Sequence, residues 1–156
     1  LSLSHDNTEL VDALEQELNK SRDDQKIFHF LRPRPHTEDN DWYDWNVTHW
    51  GTKWDAWFPN VEDYSRDDCS LSLNFDTAWS PPIALYEYLT ENGWKIEAYY
   101  HEPGMCFCGK FENGIDDCYE YNMTEESIND IPEDIASYAN LETELEDFLA
   151  FKEEEE

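Results

Sequence analysis

The cleanest alternation of apolar and polar positions in the chain runs through Ser70-Leu71-Ser72-Leu73-Asn74-Phe75-Asp76, where Leu71, Leu73 and Phe75 share one face. Successive side chains of a strand point to opposite faces, so this segment predicts a strand with one buried side. Trp94, Ile96, Ala98 and Tyr100 alternate in the same way with Lys95, Glu97, Tyr99 and His101. Trp54, Ala56 and Phe58 alternate with Asp55 and Trp57, which predicts a further strand from Lys53 to Phe58. Leu1 to Ser4 reads as a short opening strand. Asp6 and Glu9 form a capping box ahead of Leu10, Val11, Leu14 and Leu18, whose spacing gives a helix one apolar face. Ile27 to Leu31 reads as a short extended piece and Asn60 to Asp68 as a polar connection.

A second helix is predicted from Ser80 as N-cap, with Pro81 and Pro82 in its first turn, Ile83, Tyr86 and Leu89 facing inward, and Asn92-Gly93 stopping it. Pro103-Gly104 and Asn113-Gly114 can each reverse the chain, so Met105 to Phe111 and Asp117 to Tyr121 complete a meander. From Thr124 onward the tail reads as helical, with a capping box at Asp130 and Glu133 and an apolar face of Ile135, Tyr138, Leu141, Leu145, Phe148 and Leu149. The order of elements is βαββαβ followed by a meander. It predicts an α+β fold with a ferredoxin-like core, an antiparallel sheet extended at one edge, and an acidic C-terminal helix. Residues 1–156 are read as one domain, with the core and meander over 1–121 and the helical extension over 122–156.

Composition changes the picture mainly through charge. In 156 residues, 38 acids stand against 10 Lys and Arg, a net charge of −28. Beyond Phe111 the sole basic residue is Lys152, so the acidity is concentrated late. Nucleic-acid binding relies on neutralising phosphates with Lys and Arg, and attraction to anionic membranes needs the same residues, so neither partner is expected. Cations and basic protein surfaces remain, as does acidity serving as bulk solvation. No apolar run approaches the length of a membrane span, and the four cysteines, Cys69, Cys106, Cys108 and Cys118, are expected as reduced thiols in a cytoplasm.

Three unusual strings then occur in order: WYDWNVTHWGTKWDAW from Trp42 to Trp57, FDTAWSPPI from Phe75 to Ile83, and EPGMCFCG from Glu102 to Gly109. Together they resemble the YubB-type ferredoxin-like domain family of phages and plasmids, over roughly Leu1 to Tyr121. The resemblance implies the βαββαβ topology and not an iron–sulfur cluster. It implies no particular activity, and it places the protein in the cytoplasm of an infected or plasmid-bearing bacterial cell.

For chemistry, Cys106-Phe107-Cys108 puts two thiols on one strand face with no CxxC anywhere, which fits packing better than a metal or redox site. No nucleophile elbow, phosphate loop or HExxH helix occurs, so no catalytic residue, cofactor or metal is assigned. The acidic run Glu38-Asp39-Asn40-Asp41 with Asp44 lacks the spacing of a calcium loop. Candidate binding residues are the charges and aromatics carried by the motifs: Trp45, Trp50, Lys53, Asp55, Asp76, Trp79, His101 and Glu102. Lys53 and Asp55 are expected to form a local ion pair, and Asp76 to cap the loop before Ser80. The tail offers an acidic surface at Glu133, Glu142, Glu144, Glu146 and Asp147. The expected role is non-enzymatic, an accessory protein that binds a basic host or phage protein, with the acidic surface mimicking DNA. The competing role is an enzyme or small-ligand binder built on Lys53, Asp76 and Glu102. Nothing in the sequence fixes an oligomeric state.

Overall fold

A computed structural model describes residues 1–36, 41–59 and 63–154. The strands are β1 (Ser2–Ser4), β2 (Tyr64–Asp67), β3 (Ser70–Leu73), β4 (Lys95–Glu102), β5 (Phe107–Glu112) and β6 (Ile115–Glu120), and they form one antiparallel sheet in the order β2-β3-β1-β4-β5-β6. The first four strands reproduce the ferredoxin-like arrangement, and β5 and β6 extend it as the meander expected from the two turns. Asn113 and Gly114 both take positive φ, 53° and 82°, as a two-residue hairpin turn requires. The chain divides into two compact units, one of residues 1–98 with 111–115, the other of 99–110 with 116–156.

In the first unit the register brings Leu71, Leu3 and Ile96 side by side across β3, β1 and β4. All three are buried, and α1 (Thr8–Leu18) covers them with Val11, Leu14 and Leu18 while α4 (Ile83–Glu91) adds Leu85, Tyr86 and Leu89 to the same core. β3 is thus an interior strand carrying the apolar row that its alternation announced. The helix starts differ from the expected caps. Asn7, not Asp6, caps α1 by accepting from the Glu9 N–H, and Ser80 turns its hydroxyl to the Gly51 carbonyl at 2.6 Å instead of capping α4, which begins behind Pro82.

Two larger corrections concern the middle of this unit. The strand expected from Lys53 to Phe58 does not form: only Trp57 pairs, in a single bridge to Asp76 with N–O distances of 3.0 and 2.7 Å. The second strand of the core is instead Tyr64–Asp67, inside the stretch read as a polar connection. It is an edge strand whose core-side positions are filled by polar-tipped residues: Tyr64 donates its hydroxyl to Asn19, and Arg66 reaches Asp12 and Glu15 of α1. Such a strand shows no apolar alternation. The Ile27–Leu31 piece is a helical turn, α2, and the aromatic block is helix α3 (Trp42–His49).

The second unit contains its own core of Cys108, Tyr121, Ile128, Ile131, Ile135, Ala139, Leu141 and Leu145. The tail is not one helix but three: α5 (Glu125–Asn129), α6 (Glu133–Tyr138) and α7 (Leu141–Glu154). Pro132, which cannot continue a helix, separates the first two, and Asn140 at φ 55° separates the last two. Asp130 ends α5 and forms no capping box with Glu133. No helix among the described residues is long and apolar enough to cross a membrane.

Candidate functional site

The first unit carries an exposed aromatic group around one lysine. α3 sets Trp42, Trp45 and His49 at helical spacing, and Trp45 stacks on His49 one turn on, with ring centroids 4.3 Å apart. The buried Asn46 anchors the helix to the segment that follows: its amide donates to the Lys53 carbonyl at 2.8 Å and its oxygen accepts from Arg34 at 3.0 Å. That tie places the Lys53 ammonium over three rings, 4.6 Å from the centroid of Trp54, 5.4 Å from Trp79 and 5.8 Å from Tyr43. Trp42 stacks behind Trp54 at 5.1 Å. Trp79 is 76% exposed and Trp57 57%, unusual exposure for the largest apolar side chain.

Trp79 also holds a strained backbone, with φ at 64°, in the left-handed region that costs a non-glycine residue about 1–2 kcal/mol. Hydroxyls on either side maintain it. Thr52 donates to the Ala78 carbonyl at 3.0 Å and Thr77 to the Ser80 carbonyl at 2.8 Å. A strained, exposed tryptophan held this way is an outlier of the kind found at binding sites.

The other candidates of this unit serve the fold. Trp50 is 3% exposed and donates its indole N–H to the Arg32 carbonyl, and Trp45 packs on the core edge against Trp50. Asp55 forms no pair with Lys53. Its carboxylate accepts the backbone N–H groups of Phe28, His29 and Ala56 at 2.8, 3.0 and 2.7 Å, and so supplies α2 with the cap its own sequence lacks. Burial raises its pKa above the ordinary carboxylate value, the three N–H donors opposing that shift. Asp76 is exposed and tied to Trp57 through its backbone, with no cap to the Ser80 loop. Of the acidic run expected before α3, Glu38, Asp39 and Asn40 lie outside the described residues.

In the second unit, Glu102 closes the β4–β5 turn by accepting from the Gly104 and Met105 N–H groups. His101 is half-buried, 2.7 Å from the Tyr121 hydroxyl and 4.0 Å from Glu144 of α7. Burial pushes the Cys108 thiol up to about 11, so it packs as a protonated side chain, while Cys69 and Cys118 are exposed. Among the described residues no group of three or more His, Cys, Asp or Glu could hold a metal ion. Glu142, Glu146 and Asp147 are exposed on α7, Glu133 is exposed on α6, and Glu144 turns toward His101. Glu125 and Glu126, Glu133 and Asp134, and Glu142 and Glu144 all occupy first turns of helices, where negative charge favours the helix dipole. A depression of about 350 Å³ opens among α5, α6 and α7, floored by Ile131 and Ala136 and rimmed by Glu133 and Glu142.

Of the expected binding residues, Lys53 and Trp79 belong to this aromatic group, as do Trp54 and Trp57 of the tryptophan series, whereas Trp45 and Trp50 do not, and Tyr43 is the member that the sequence did not mark. The helical spacing of Trp42, Trp45, Asn46 and His49 was the available signal that Trp45 and Trp50 turn inward. No curated protein and no solved structure matches this chain. A family match runs over residues 49–148, beginning after α1 and β1 and continuing past Tyr121 through α5, α6 and part of α7, so the helical tail lies largely within the shared sequence. By that match the chain belongs to the family described as the ferredoxin-like domain in Api92-like protein.

Proposed function

We propose that this protein is a non-enzymatic accessory protein that acts by binding a basic protein, with the exposed aromatic group of its first unit as the contact surface. The YubB-type kinship and a phage or plasmid setting in the bacterial cytoplasm are part of this reading. The observation that carries it is Trp79, 76% exposed at a φ of 64° and flanked by Trp54 and Tyr43 that are themselves exposed. Tryptophan and tyrosine dominate the energetics of protein contacts because they bury much area with little loss of side-chain freedom. The net charge of −28 sets the sign of the partner, drawing basic surfaces inward and repelling phosphate backbones. Exposed Glu133, Glu142, Glu146 and Asp147 add to that field in the manner of a DNA mimic.

The reading is tested by calorimetric titration with a ten-residue peptide of alternating arginine and serine, against duplex DNA and a neutral oligosaccharide. Saturable binding of the peptide, weakened about tenfold or more by Trp79→Ala as for a central contact residue, is the expected result. Binding of DNA or of the oligosaccharide in its place would sink it and favour the small-ligand reading built on Lys53 and Asp76.

A further inference from the structure

We infer that the rings of Tyr43, Trp54 and Trp79 form a cation site that Lys53 fills in the free protein, and that an arginine or lysine of a basic partner takes its place. The inference rests on the binding reading above and names the chemistry of its contact. Lys20, Arg66, Lys95 and Lys110 each lie within ion-pair distance of a carboxylate, Arg22, Arg32 and Arg34 donate to carbonyl or amide oxygens, and Arg32, Lys110 and Lys152 each face a single ring. The ammonium of Lys53 has no carboxylate at such a distance among the described residues and lies over three aromatic faces within 6 Å, in a chain with 38 acids. Aromatic faces carry negative charge density and attract ammonium and guanidinium groups, most strongly on tryptophan. The site is built rather than incidental. Trp42 backs Trp54, the Asn46 amide fixes the Lys53 backbone, and hydroxyls of Thr52 and Thr77 hold the loop that presents Trp79.

A lysine side chain has four flexible carbons and can swing out without disturbing the backbone that Asn46 holds. Self-occupancy then lowers the affinity for an incoming cation by the fraction of time the site is free. An anion drawn to the Lys53 ammonium would instead meet the repulsion of the whole molecule at −28. The two ligands therefore predict opposite signs for the loss of Lys53.

The experiment titrates wild type, Lys53→Met, Lys95→Met, Trp54→Ala, Trp79→Ala and Trp54→Phe with the arginine–serine peptide at about 150 mM salt, where long-range attraction is screened. Circular dichroism of each variant confirms the fold. Lys95→Met makes the same change in net charge outside the aromatic group. Lys53→Met is expected to bind about threefold or more tighter than Lys95→Met, in proportion to the vacated site. Trp54→Ala and Trp79→Ala are expected to weaken binding about tenfold, and Trp54→Phe less, since a smaller ring face remains. Equal affinity of Lys53→Met and Lys95→Met, or weaker binding by Lys53→Met, overturns the inference. Peptide binding that neither tryptophan variant changes overturns the cation site while leaving a basic partner in place elsewhere on the surface. Absence of peptide binding to every variant overturns both.

Discussion

Asp55 illustrates how a single charge can be misread from its neighbours. Beside Lys53 in sequence it suggests an ion pair, yet its carboxylate faces inward and collects the N–H groups of Phe28, His29 and Ala56. Replacing it by alanine leaves those donors without an acceptor and should destabilise the first unit by about 2–3 kcal/mol in urea denaturation. Asp55→Asn keeps one acceptor oxygen and should cost less. The pH dependence has a definite sign. Burial raises the folded pKa above 3.8, so the contribution tied to this proton is fully present below 3.8 and is lost as pH rises through the folded value. The stability of wild type relative to Asp55→Asn should therefore increase as pH is lowered through that window. A difference that shrinks on acidification would mean that the hydrogen bonds, not burial, dominate at this site.

Among the elements, the meander depends on one close approach. A Cβ at Gly109 of β5 would lie 2.2 Å from the Tyr100 hydroxyl and 2.5 Å from the Asp117 carbonyl oxygen, distances no packed structure tolerates. The absence of that Cβ lets Tyr100 of β4 pass over β5 and donate to Asp116 of β6 at 2.7 Å. Gly109→Ala should lower stability by about 1–3 kcal/mol or more, as overpacking does, and shift the Tyr100 environment. Tyr100→Ala in the same chain should restore only part of the loss, because the Asp117 carbonyl stays in place. Unchanged urea midpoints for Gly109→Ala would show that β5 can move away from β4. The tail follows the same logic of local interruption. Pro132 and Asn140 break one amphipathic run into three helices, and each break creates a new first turn in which acids are favourable.

Over the whole molecule, the charge acts against compactness as well as toward a partner. Replacing the exposed Glu142, Glu146 and Asp147 by Gln or Asn, and keeping Glu144 because it faces His101, should raise the melting temperature at about 50 mM salt and raise it less at about 200 mM, as screening of like charges requires. A variant that melts lower at both salts would mean that these acids stabilise their helices more than they repel one another. The sequence by itself determined the interior strands, the α4 helix, the Asn113-Gly114 turn and the sign of the electrostatic field, because alternation, proline and glycine positions and net charge are local properties written in consecutive residues. The turn at Pro103-Gly104 is longer than expected, taking in Met105 and Cys106 at φ 54°, so Cys106 does not share a strand face with Cys108. The ferredoxin-like order was reached with Lys53 to Phe58 counted as its second strand, a place that the fold gives to Tyr64–Asp67. Tertiary structure alone decided that β2 is a polar edge strand, since Tyr64 meets the core with its hydroxyl turned to Asn19 and Arg66 pairs with Asp12 and Glu15 of α1. It decided too that Trp79 is exposed at a φ of 64° while Trp50 is buried, because FDTAWSPPI offers no periodicity around Trp79 from which a face could be read. The cap on α2 and the ring faces over Lys53 came from residues distant in sequence or turned by a strained backbone, and no spacing rule reaches either.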